Sequence, residues 1–156
     1  MNDAGADGRE TSSTAVAPSG RCRGRILVVD DEANARAALS ALLVDEGYAV
    51  ESAADGVNAL GKLSVFAADL VLTDLKMPRM DGLELLRQLH ARDADLPVVV
   101  MSAFGDPETT RGIMRAGARH CLEKPVNLDQ LTAVMDQELF HRRERRRPDT
   151  IPGGMR

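Results

Sequence analysis

Leu70-Val71-Leu72-Thr73-Asp74-Leu75-Lys76-Met77-Pro78-Arg79-Met80-Asp81-Gly82 is the stretch on which the fold turns. The apolar run Leu70 to Leu72 predicts a strand covered on both faces, with Asp74 at its carboxyl end. In open α/β sheets ligands collect in the crevice outside those ends. Pro78 biases Met77 toward an extended conformation and keeps a helix from starting at once, so a loop follows Asp74. Asp81, with Glu84 three residues on, then signals a helix start close to a capping box. Taken alone, Asp74 reads first as an ordinary loop acid closing a strand; the rest of the chain overturns that reading.

Outward from this stretch, strand and helix patterns alternate five times. Arg25 to Val29 is a buried strand running into Asp30-Asp31-Glu32. A helix follows with Ala35, Leu39, Leu42 and Leu43 at helical spacing, stopped by Gly47. Tyr48 to Ala53 alternates as a half-buried edge strand would, and Asp55 can cap a helix carrying Val57, Leu60 and Leu63. After the Asp74 strand, the helix from Gly82 presents Leu83, Leu85, Leu86 and Leu89 to the sheet. Val98 to Met101 is another buried strand, with Ser102 at its end. Asp106-Pro107-Glu108 has the form of a helix start, with Ile113 and Met114 inward and Gly117 closing. Arg119 to Leu122 is a short last strand ended by Lys124-Pro125. Asn127 caps a final helix with Leu128, Leu131, Val134, Met135 and Leu139 on one face, fraying or projecting from His141 onward. This is the pattern of a parallel sheet with helices on both faces.

At 156 residues the chain makes one domain, whose core can bury roughly two thirds of its unfolded surface. Its two cysteines, Cys22 and Cys121, form neither a disulfide framework nor a metal-ligand spacing, and a reducing compartment is expected. No run is apolar enough for a membrane span, and the first residues lack a secretory signal. A cytoplasmic protein follows. Residues 1–23 read as a disordered leader, 24–141 as the folded unit and 142–156 as a basic, flexible tail. The folded unit holds 11 Lys and Arg against 19 Asp and Glu, the tail 6 against 2. Such an acidic globule disfavours nucleic acid, leaving the arginine tail as the one part suited to it.

Parallel strands bring their ends to one edge, so Asp30, Asp31, Asp74, Ser102 and Lys124 share a rim. Carboxylates there repel; a pair about 4 Å apart costs roughly 4 kcal/mol at an effective dielectric near 20. Such a cluster wants a cation, and oxygen donors suit Mg²⁺. A bound metal can orient a phosphoryl group for attack by a carboxylate, with Ser102 and Lys124 pairing with phosphoryl oxygens.

Val28-Val29-Asp30-Asp31-Glu32, Thr73 to Pro78 with Met80-Asp81-Gly82, Met101-Ser102-Ala103, and Gly117-Ala118 leading to Lys124-Pro125 together resemble the receiver domain of bacterial two-component response regulators, over roughly Arg25 to His141. The resemblance implies a flavodoxin-like, doubly wound five-stranded parallel sheet in the order 2-1-3-4-5. It implies that Asp74 accepts a phosphoryl group from a sensor histidine kinase, the chain catalysing only its own phosphorylation and dephosphorylation. Asp31 and Asp74 would be direct ligands of Mg²⁺ (or Mn²⁺), Asp30 would act through a coordinated water, and the Lys76 backbone carbonyl would complete the set. Ser102 and Lys124 would stabilise the phosphoryl group, and Pro125 would follow a cis bond. A downstream protein would read the 106–141 face, with a phosphorylation-dependent dimer as a further option. Cys121 stands where relatives often carry Tyr or Phe, and by itself reads as a small buried core residue. Two other readings remain: a metal-dependent aspartyl-phosphate phosphatase, against which Lys76 stands where a second acid belongs, and nucleic-acid binding through the arginine tail.

Overall fold

The computed structural model describes residues 22–77, 79–103 and 107–146. Pro78 and the capping role assigned to Asp106 lie outside them. Five strands, β1 (Arg25–Val29), β2 (Ala49–Ala53), β3 (Leu70–Asp74), β4 (Val98–Ser102) and β5 (His120–Glu123), alternate with α1 (Ala33–Asp45), α2 (Gly56–Leu63), α3 (Gly82–Arg92), α4 (Pro107–Arg115) and α5 (Leu128–Arg146). All strand pairs are parallel, in the order β2-β1-β3-β4-β5. The flavodoxin-like arrangement expected from the sequence is the one found.

Alternation along each strand divides the core in two. Leu27, Val29, Val71, Val98 and Val100 pack with Ala59 of α2, with Leu85, Leu86 and Leu89 of α3, and with Ile113 of α4. Ile26, Val28, Leu70, Leu72, Val99 and Met101 pack with Leu43 of α1 and with Leu131, Met135 and Leu139 of α5. Both faces of the sheet are covered, so the central strands are apolar throughout.

Helix starts follow the sequence signals. Asp55 accepts from the Asn58 N–H at 2.8 Å, Asp81 from Glu84 at 2.9 Å, and Asn127 from Gln130 at 2.9 Å. Glu32 caps α1, accepting from Ala35 at 2.7 Å. Gly47 and Gly117, with φ of 107° and 117°, follow α1 and α4.

Other expectations need correction. β2 is an edge strand, yet it is buried on both faces because α1 and α2 cover it from either side. Even the charged Glu51 is 5% exposed, and it pairs with Lys62 at 3.7 Å. Leu42 and Met114, assigned inward, are 47% and 43% exposed. Each sits one residue from a buried neighbour in its helix, Leu43 or Ile113, and the turn of about 100° per residue carries it to the surface. Cys121 is only half-buried. The leader and tail boundaries also move. Arg23 donates its N–H to the Gly47 carbonyl at 2.9 Å and lies over the Tyr48 ring, 4.7 Å from its centre. Helix α5 does not fray at His141; it continues to Arg146 with Arg142 buried, because acids from a neighbouring turn face its arginines. Among the described residues no helix is long and apolar enough to cross a membrane.

Candidate phosphoryl-acceptor site

The carboxyl ends of β1, β3, β4 and β5 meet at one rim. A cleft of about 140 Å³ there is lined by Asp74, Leu75, Lys76, Ser102, Ala103 and Lys124. The Lys124 Nζ lies 3.2 Å from Asp74 Oδ2 and 3.7 Å from Asp30 Oδ2. Asp30, Asp31 and Asp74 can each present a carboxylate oxygen within 4.8 Å of the others. Ser102 is buried at the end of β4, and its carbonyl accepts the Lys124 N–H at 2.7 Å, which fixes β5 beside β4 at the rim. The Lys124-Pro125 bond is cis. All the residues assigned to the site from sequence line this rim.

Backbone contacts hold the acids in place. Asp30 is buried, its Oδ1 accepting the Glu32 N–H at 2.9 Å. Its carbonyl accepts from Arg36 Nη1 at 2.7 Å, a contact that sequence spacing did not suggest. Asp31 is exposed and open to an incoming ion. Asp74 Oδ1 accepts the Leu75 N–H at 2.9 Å. Thr73 donates its hydroxyl to the Asp74 carbonyl at 2.9 Å. Gly82 lies directly behind that carbonyl: a Cβ at position 82 would sit 2.3 Å from the Asp74 oxygen. Only a residue without a side chain lets α3 start this close to the loop that follows Asp74. The Gly82 N–H donates to the Leu75 carbonyl at 2.7 Å, closing the loop.

A second support was also missed. Arg79 adopts φ of 68° and directs Nε to Asp55 Oδ2 at 3.0 Å. The Asn58 N–H and then Arg79 hold the Asp55 carboxyl below the usual range. The cap of α2 thus anchors the loop that follows Asp74. No motif marks this pair, because it joins two loops.

Burial pushes the Asp74 carboxyl above its usual range; Lys124 opposes the shift and Asp30 adds to it. This is the electrostatic burden a divalent cation relieves. Octahedral Mg²⁺ places ligands no more than about 4.2 Å apart, so the trio, within 4.8 Å of one another, is near that spacing. A metal ion fits the residues present.

A model of the response regulator receiver domain matches residues 26–136. The chain belongs to that family. Over 119 residues the receiver is 39% identical to the transcriptional regulatory protein ZraR of Salmonella typhimurium, covering 76% of this chain and 27% of that protein. It is 36% identical to the regulatory protein AtoC of Escherichia coli, over 74% of this chain and 25% of that one. The chain therefore spans about a quarter of the length of these curated relatives. Among solved structures, the receiver domain of NtrX from Brucella abortus superposes with a TM-score of 0.70 at 38% identity, over 74% of this chain and 98% of that one. A receiver domain protein from Clostridium thermocellum gives a TM-score of 0.74 at 27% identity, over 78% and 98%. Receiver domains bind Mg²⁺ at an acidic pocket and act with sensor kinases and downstream output domains; the Asp30, Asp31 and Asp74 cluster could hold a metal ion.

Proposed function

We propose that this receiver is a phosphorylation switch in which Asp74 takes a phosphoryl group from a histidine kinase. The observation that carries the reading is the position of the Asp74 carboxylate, 3.2 Å from the Lys124 ammonium and within the acidic trio. An Asp74 oxygen forms the new O–P bond while the N–P bond of the phosphohistidine donor breaks, and a solvent proton completes the leaving imidazole. Asp31 and Asp74 would hold Mg²⁺ (or Mn²⁺) directly, Asp30 would do so through water, and the Lys76 carbonyl would complete the protein ligands. An ion held there would supply positive charge against the phosphoryl oxygens. Lys124 pairs with one phosphoryl oxygen, and Ser102 donates to another. Rates arise from positioning and charge stabilisation, so the domain modifies and demodifies itself without turning over a separate substrate.

The phosphate adds roughly two negative charges at the rim and shifts the balance between conformations already present. A downstream protein reads the change on α4, β5 and α5. On that face the usual aromatic is replaced by Cys121, whose thiol, raised by burial, hydrogen-bonds Thr110 of α4. Matched relatives are named as transcriptional regulators, whereas the acidic surface of this receiver is itself unsuited to nucleic acid.

The test is incubation of the protein with Mg²⁺ and acetyl phosphate, read by intact mass. Gain of one phosphoryl group in the wild type and none in Asp74→Asn is expected. Labelling of Asp74→Asn at the wild-type level would refute the assignment.

A further inference from the structure

The last turn of α5 is held differently from the rest of the fold. Leu139 is its last buried apolar residue; Phe140 is 56% exposed, and beyond it come His141 and a run of arginines. What faces these arginines is the turn between α3 and β4. Asp93 caps the end of α3, and Asp95 donates its N–H to Asp93 Oδ1 at 3.0 Å, so both carboxylates sit in one tight bend. Arg142 Nη2 lies 3.4 Å from Asp93 Oδ2 and Nη1 lies 3.6 Å from Asp95 Oδ2. Arg145 pairs with the Asp95 carboxylate and reaches the Asp95 carbonyl at 3.4 Å; Arg146 is 4.0 Å from Asp93.

Arg142 is the weak point of this arrangement. It is 6% exposed, yet its Nε and Nη1 are buried without hydrogen-bond partners. A buried guanidinium that lacks part of its hydrogen bonding stays in place only while carboxylates face it. Lacking them, it regains water most readily if the helix end swings out, since among the described residues no apolar side chain past Leu139 is buried to resist.

We propose that Asp93 and Asp95 form an acidic clasp that holds the exit turn of α5, Arg142 to Arg146, as a unit able to open while the core stays folded. The clasp sets the direction in which the chain leaves the domain. Helix α3 begins with Gly82 against the Asp74 carbonyl and ends at Asp93, so clasp and acceptor loop occupy opposite ends of one helix.

Amide hydrogen exchange of the full chain tests this. In the double variant Asp93→Asn with Asp95→Asn, the amides of residues 143–146 exchange about tenfold faster or more, while those of β1 and β3 keep their wild-type rates. Adding Arg142→Met to that variant restores protection of the turn, because an apolar side chain needs no counterion. Wild-type exchange of the turn in the double variant would overturn the clasp. So would equal acceleration in β1 and β3, or failure of Arg142→Met to restore protection.

Discussion

The two rims of the sheet are both built from carboxylates and cations, and they differ in which charge is left over. At the carboxyl-end rim three aspartates lie together, and the Lys124 ammonium pairs with Asp30 and Asp74, so the trio keeps a negative surplus. At the amino-end rim three arginines face Asp93 and Asp95, and the charges are nearly matched within the protein. A negative surplus in a half-buried cleft is suited to a cation from outside. A near-balance is met by folding, and orders a chain segment instead. The same residue types thus make a binding site in one place and a fastening in the other.

The contrast breaks most completely at Asp74. Besides ending phosphoryl labelling, Asp74→Asn should abolish the Mg²⁺-dependent rise in melting temperature that beryllofluoride is expected to give the wild type, measured by calorimetry. An undiminished rise would mean that the surplus lies elsewhere. Next in size is Gly82→Ala. Its new methyl group would meet backbone, which cannot move aside as a side-chain tip can, so α3 or the acceptor loop must shift. A loss of about 1–3 kcal/mol in urea unfolding and slower labelling by acetyl phosphate are expected, the first from overpacking and the second from displacement of Asp74. Wild-type values for both would separate the loop from the helix.

A smaller effect sharpens the electrostatic side. Because burial raises the Asp74 carboxyl above its unfolded value, the ionised form costs stability at pH values above the folded pKa. Without metal, Asp74→Asn should therefore melt a few degrees higher than the wild type near neutral pH. That gain should shrink as pH falls through the raised pKa toward the ordinary carboxylate range, where both forms are neutral. A constant offset across that window would assign the difference to packing. Smallest is the effect of salt at the other rim. Raising NaCl to about 1 M shortens the screening length to roughly 3 Å, and should speed exchange of residues 143–146 with a global stability change below about 1 kcal/mol. No change in exchange would show that the clasp is sheltered from ions.

Legibility in the sequence followed the same division. Asp30, Asp31, Asp74, Ser102 and Lys124 could be gathered before any coordinates, because five apolar runs in a βα alternation force their ends to one edge. Leu42 and Met114 were misplaced because an apolar residue at a helix boundary fits the inward pattern and the outward one equally well. Arg36 on the Asp30 carbonyl, Arg79 on Asp55 and the contact of Gly82 with Asp74 carry no periodic signal, since each depends on the path of a loop.

The sequence by itself determined the parallel α/β sheet, the helix caps at Asp55, Asp81 and Asn127, and the polar residues at the strand ends. All of these follow from local pattern and from the short reach of βα connections. Only the tertiary structure decided that β2 is buried on both faces, that the acceptor loop is braced by Gly82 and Arg79, and that the arginines after Leu139 continue a docked helix. Those outcomes rest on charges and backbone groups far apart in the chain, whose partners are chosen by how the helices pack.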